Sequence, residues 1–146
     1  MVFVSSGGCF RYTVWLRLTQ AAKKQSRILF SIIYLIFRQY TYKYGVHIDT
    51  NIPIGKGLLI VHGDGVYLNC KSVGDYLTIY QNVTVGANAS GIPEIKNNVT
   101  LYTGCLCIGN IVLENEVEVG GNAVLCSETE KGGVYVGIPA KLMKKK

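Results

Sequence analysis

Beyond Gly45 the chain repeats with a period of six. Aliphatic side chains fall at positions 48, 54, 60 and 66, then after a one-residue insertion at 73, 79 and 85, and again at 95, 101, 107, 113, 119 and 125. Twelve of these thirteen are Ile, Val or Leu and the other is Cys107, a run too long for chance. A small residue often follows, as in Ile54-Gly55, Val73-Gly74, Val85-Gly86 and Val119-Gly120. Neither the 3.6 period of an α-helix nor the 2 of a simple strand explains this spacing. One short strand plus one corner does. Three such units close a triangular coil of roughly 18 residues, and stacked coils form parallel sheets whose inward side chains pile into columns. Gly and Asn belong at the corners, where positive φ is tolerated.

The first 45 residues follow another rule. From about Phe10 to Tyr44 there is no Gly or Pro, and the pattern predicts two helices near 10–24 and 26–43, each apolar on one side, with Gly45 as the break. The expected organisation is therefore a helical segment over 1–45 and a mainly β domain over 46–146. The helical segment holds Arg11, Arg17, Lys23, Lys24, Arg27, Arg38 and Lys43 but no carboxylate before Asp49, so the net charge of +6 comes from it and from the terminal Lys144–Lys146 run. Such a surplus suits an anionic lipid surface or a phosphate-bearing cofactor. Nucleic acid is not expected, since zinc-finger spacing, an RNP-type motif and a recognition-helix pattern are all missing.

The longest apolar run, Ile28 to Phe37, is too short to span a bilayer. No export signal is evident, and neither is a lipidation site at Ser6-Gly7-Gly8-Cys9. The five cysteines lack C-x-x-C spacing and read as buried apolar thiols in a reducing cytoplasm, with no metal site.

The segments Ile54-Gly55-Lys56-Gly57, His62-Gly63-Asp64-Gly65-Val66, Gln81-Asn82-Val83-Thr84-Val85-Gly86 and Gly137-Ile138-Pro139-Ala140-Lys141 resemble the hexapeptide-repeat acyltransferases over roughly residues 45–143. The nearest likeness is to serine acetyltransferases and their relatives in capsular polysaccharide gene clusters. That resemblance implies a left-handed parallel β-helix, an exception to right-handed crossovers. It also implies an acetyl-CoA-dependent O-acetyltransferase, trimeric, with its active sites between subunits. The acceptor would be the hydroxyl of serine or of a sugar.

Counting two places on from the apolar positions puts His62, Gln81, Thr103 and Gly121 in file along one corner edge. An imidazole there, of the type that titrates nearest neutrality, is the candidate general base at the reacting end of a cofactor lying along the stack. The resemblance assigns Gly86, Ala87, Thr103, Gly104, Gly121 and Asn122 to the CoA groove, and Lys141 with Lys144–Lys146 to its phosphates.

Two departures stand out. Serine acetyltransferases carry an acid fifteen residues before the catalytic His; that position is His47 here, with Asp49 two places on. Asp49 either orients His62 or holds an amine, or else it ends the linker and caps the first coil. The family also has a His before a Pro in the loop 86–94, where this chain has Ile92-Pro93. This loss, with only two helices ahead of the coils, favours a sugar acceptor; the family signature favours serine. The basic, aromatic helices would either rest on an anionic membrane or close the open end of the first coil. The reading from another class is a non-catalytic trimeric scaffold, suggested by the degenerate repeats around Glu114, Glu116 and Glu118.

Overall fold

The chain is a parallel β-solenoid of about five turns preceded by two helices, and the computed structural model describes residues 7–145. Ser6 of the Ser-Gly-Gly-Cys stretch and Lys146 of the terminal lysines lie outside the described residues.

Three faces emerge. The first carries Val46–Ile48, Val66–Leu68, Thr84–Gly86, Leu106–Ile108 and Val124–Leu125 in parallel register. On the second, Glu94–Ile95 pairs with Val112–Leu113, and single bridges extend the ladder through Val73 to Ile54. The third stacks Leu59–Ile60, Thr78–Ile79, Thr100–Leu101, Glu118–Val119 and Gly133–Val136, with Lys141–Lys145 returning antiparallel on the last of these. Inward columns follow from the registers. Ile48, Leu68, Val85, Cys107 and Leu125 form one, and Ile60, Ile79, Leu101, Val119 and Tyr135 another. All ten are buried.

One register differs from the six-residue count. Leu68, not Val66, stacks between Ile48 and Val85. Val66 is buried too, in the neighbouring column with Val46, Val83, Cys105 and Ala123. The cause is the first third-to-first-face corner: eight positions separate Ile60 from Leu68, against six between Ile79 and Val85. Two extra residues are accommodated there, and the stack resumes one position early at Val73.

At that same corner Gly45, Gly65, Asn82, Gly104 and Asn122 all take left-handed backbone, φ 58°, 76°, 57°, 72° and 55°. Only Gly adopts this region without cost, and Asn tolerates it best among the others. The repeat therefore alternates between these two types. At the opposite corner carboxylate and amide side chains form a vertical ladder. Asp75 Oδ1 accepts from the Lys56 amide at 2.9 Å, Asn97 Oδ1 from Asp75 at 2.8 Å, and Asn115 Oδ1 from Asn97 at 3.0 Å.

The helices α1 (Gly7–Gln25) and α2 (Arg27–Tyr44) are close to the ranges expected. α2 ends at left-handed Gly45, whose N–H bonds the Thr41 carbonyl. The pair closes the open end of the solenoid. Tyr12, Leu16 and Phe37 are buried in the same core as the first coil. The unpaired backbone of that coil finds partners on α1: Arg17 donates to the carbonyls of Ile54 (2.6 Å) and Gly55, Gln20 Nε2 to Ile52 (2.9 Å), and the Ile48 N–H reaches the Tyr12 hydroxyl at 3.3 Å. The closing role expected of the helices is thus visible atom by atom.

All five cysteines are free, four of them buried. Burial pushes the Cys70 thiol up to about 12, and hydrogen bonding with Cys105, together with burial, raises Cys107 well above the ordinary thiol range. A thiol reagent at pH 8 should accordingly label Cys126 rapidly and the other four only after denaturation; a second fast thiol would contradict the packing described. Arg17→Ala should cost about 2 kcal/mol through its lost charged hydrogen bonds, lowering the thermal midpoint by roughly 4–8 °C. Arg11→Ala, at an exposed position, should stay within about 0.5 kcal/mol.

Candidate functional site

The corner between the third and first faces is where the chain departs from regularity, and His62 sits in that departure. In later coils two residues separate the end of the third-face strand from the left-handed residue, and the second of them occupies the apex. These are Gln81 before Asn82, Thr103 before Gly104 and Gly121 before Asn122. In the first coil the apex is spread over His62, Gly63 and Asp64 before Gly65. Backbone bonds bracket it: Val61 N–H bonds the Ile79 carbonyl below, and Asp64 N–H bonds the Tyr44 carbonyl above, both about as short as regular ladder bonds at 2.9 and 2.8 Å. The carbonyl facing the Asn82 N–H comes from Asp64 (2.9 Å). Counted along the strand, His62 matches Gln81; counted along the ladder, Asp64 does. The result is an imidazole on a widened, exposed corner at one end of a file that continues through half-buried Gln81 and Thr103 to exposed Gly121.

Gln81 adds a feature that the spacing did not disclose. Its Oε1 is buried and has no hydrogen-bond partner among the described residues. Buried polar atoms are nearly always paired, so this carbonyl, one coil from His62, is an acceptor awaiting a donor.

The expected groove residues divide between two edges. Thr103, Gly104, Gly121 and Asn122 share the His62 corner, whereas Gly86 ends the first-face strand Thr84–Gly86, with Ala87 beyond it at the next corner. A strand's width separates the two groups, so within one chain they do not line a single groove. Both edges have room: a Cβ added at Gly86 would meet nothing within 4 Å, and one at Gly121 only the Thr103 carbonyl at 3.4 Å. Lys141 lies exposed on the terminal strand beside Val136. Nearby, Lys145 is paired with Glu130, which raises its pKa through that hydrogen bond and charge.

Asp49 is not brought to His62. Its Oδ1 accepts from the Asn51 N–H and from Asn51 Nδ2, each at 2.8 Å, closing a tight turn after Ile48. Among the described residues no hydrogen bond or ion pair joins Asp49 or His47 to His62. Both instead line a cleft of ≈ 500 Å³ between α2 and the first face, with Arg38, Tyr42, Tyr67 and Asn69. There His47 meets the Tyr42 ring edge-on at 6.2 Å.

The loop after Gly86 is closed on itself. Asn88 and Gly91 exchange backbone bonds of 2.9 and 3.1 Å, and Asn88 Oδ1 accepts from the Ser90 amide and hydroxyl. Ile92 is half-buried beside it. Among the described residues no group of His, Cys, Asp and Glu is arranged to hold a metal ion.

No family model matches the chain. It is 33% identical over 141 residues to a serine acetyltransferase of Staphylococcus xylosus, an alignment covering 91% of this chain and 63% of that protein. It is 36% identical over 105 residues to a serine acetyltransferase of Staphylococcus aureus strain Mu50, covering 68% and 49%. Among solved structures, the serine acetyltransferase of Brucella abortus strain S19 in complex with coenzyme A superposes with a TM-score of 0.84 at 20% identity, over 99% of this chain and 58% of that one. The soybean serine acetyltransferase complexed with serine gives 0.80 at 24%, over 94% and 58%. The chain thus has serine acetyltransferases as homologues and shares the hexapeptide-repeat solenoid with its structural neighbours, while spanning under two thirds of the length of the curated relatives it matches.

Asp49→Asn preserves the acceptor in the turn and should leave stability and turnover within twofold of the parent, whereas Asp49→Ala should cost about 1 kcal/mol of stability. A large loss of turnover in the Asn variant would instead show that the charge itself serves catalysis.

Proposed function

We propose that the chain is an acetyl-CoA-dependent O-acetyltransferase in which His62 is the general base. One observation carries this reading: an exposed imidazole stands at the widened corner of the first coil, on the edge that carries half-buried Gln81 and Thr103 and exposed Gly121 in later coils. The sequence kinship to serine acetyltransferases over 91% of the chain supports the reaction class.

In this mechanism the His62 imidazole takes the acceptor's hydroxyl proton as that oxygen attacks the thioester carbonyl carbon. The tetrahedral adduct then expels the CoA sulfur, to which His62 returns the proton, leaving an acetyl ester and free CoA thiol. No covalent enzyme intermediate is invoked, because the thiols of Cys9, Cys70 and Cys107 are buried with raised pKa values, Cys105 is buried as well, and among the described residues Cys126 makes only a long contact with the Val124 carbonyl. Thr103, Gly104, Gly121 and Asn122 would flank the CoA arm from one protomer, and Gly86 and Ala87 from another. Their separation on two edges of one chain suits a trimer with its grooves between subunits. The unpaired Gln81 Oε1 would accept an N–H of the bound ligand, and Lys141 and Lys144 would face its phosphates.

Serine is the first acceptor to test, since homologues are named for it. A sugar hydroxyl is the second, since Ile92 offers no polar group in the loop beyond Gly86.

Thiol release from acetyl-CoA, measured with serine and separately with sugar acceptors, tests the assignment. His62→Ala should lower the rate about 10²–10⁴-fold while CoA binding persists. Undiminished turnover in that variant overturns the mechanism. Failure of the parent protein to bind acetyl-CoA would leave a scaffold as the better reading.

A further inference from the structure

We infer that the outer face of α2 is a docking surface for an anionic lipid bilayer. α2 packs on α1 and the first coil through one side only, where Phe37 lies against Tyr12 and Tyr40 against Trp15. Its other side carries Ile28, Ile32 and Leu35 at spacings of four and three, so all three lie on one stripe of the helix. They are 75%, 56% and 63% exposed, respectively. Leu29 and Ile36 widen the stripe on one flank and are exposed as well. An apolar band of this size on a helix surface marks an interaction site rather than scattered surface residues.

Charge selects the occupant. Arg27 and Arg38 border the band, eleven positions apart and therefore on nearly the same meridian of the helix, and Lys43 follows in its last turn. Both helices together contain seven Lys and Arg and no carboxylate. Among the described residues the ion pairs are those of Lys56, Lys96, Lys131 and Lys145, so none compensates a helix cation. A protein partner with an apolar core would need an acidic rim of matching shape. An anionic leaflet offers both the apolar interior and the negative border along the whole length of α2, and the helix would lie in the interface plane. Among the described residues no helix is long and apolar enough to cross a membrane, so the contact is with one leaflet.

The proposal is independent of acetyl transfer and is read without acetyl-CoA. Co-sedimentation of the full chain with vesicles of phosphatidylcholine containing roughly a third phosphatidylglycerol, and with phosphatidylcholine alone, supplies the measurement. Partitioning should be at least about tenfold stronger on the anionic vesicles and should fall when salt is raised from roughly 0.1 to 1 M. Ile32→Glu with Leu35→Glu should reduce it at least about tenfold. Arg27→Glu, which leaves the apolar band intact, should reduce it more than about fivefold, because each cation near such a surface contributes about that factor. Lys131→Glu, on the far end of the solenoid, should bind as the parent does. Equal partitioning onto both vesicle types would overturn the inference. So would a drop in assembly size for the Ile32/Leu35 variant in the absence of lipid, which would show that another copy of the chain covers the face.

Discussion

The rigid quantity in this molecule is the vertical register between coils. Thr78, Thr84, Thr100 and Leu106 each give their N–H to a carbonyl of the next coil at 2.9–3.0 Å. A one-residue slip within any strand would break that ladder and swing inward side chains to solvent. Extra residues can therefore enter only at corners, and they do so at the His62 apex and in the loop after Gly86. The chemistry proposed for the chain lies at the first of these places, because a strand residue is committed either to the core or to a flat outer face.

A stacked architecture has ends, and each end exposes unpaired backbone and an open column of apolar side chains. Here α1 and α2 answer both needs at the first coil, with Arg17, Gln20 and Tyr12 meeting its backbone and Leu16 and Phe37 filling its core. At the last coil the antiparallel strand Lys141–Lys145 covers the edge, and its lysines discourage further pairing. The cost of using only one side of α2 for this purpose is the apolar band left on the other.

The corner bearing His62 illustrates how local backbone chemistry positions the proposed base. Left-handed residues at Gly65, Asn82, Gly104 and Asn122 turn the chain into the first face at a fixed height in each coil. The residue before each is thereby held outward. Where that apex is spread over three residues in the first coil, His62 is exposed, and Gly63 passes close to the Tyr44 carbonyl, which a Cβ at that position would meet at 2.5 Å.

Much of this was legible in the residues alone. The period of six identifies stacked strands because only a solenoid returns every sixth side chain to the interior, and Gly45 marks the helix end because its φ of 58° is costly for other residues. Counting also places Gln81, Thr103 and Gly121 at equivalent corners, whereas the ladder puts Asp64 rather than His62 at the corresponding position of the first coil. What counting could not decide were the register at Leu68, the division of Gly86 and Ala87 from Thr103 and Gly104, and the turn that occupies Asp49. Val66 and Leu68 are equally apolar, so the choice between them rests on where two extra residues are absorbed. Likewise the carboxylate of Asp49 takes its partner from Asn51, two residues away, and no spacing to His62 reveals it. Within an uninterrupted run of sixes, sequence periodicity specifies which side chains share a column, because that depends on repeat length alone; across a corner that absorbs extra residues it does not. Which edges face one another, and which polar groups are already satisfied, is settled only when the coils close and compete for the same hydrogen bonds.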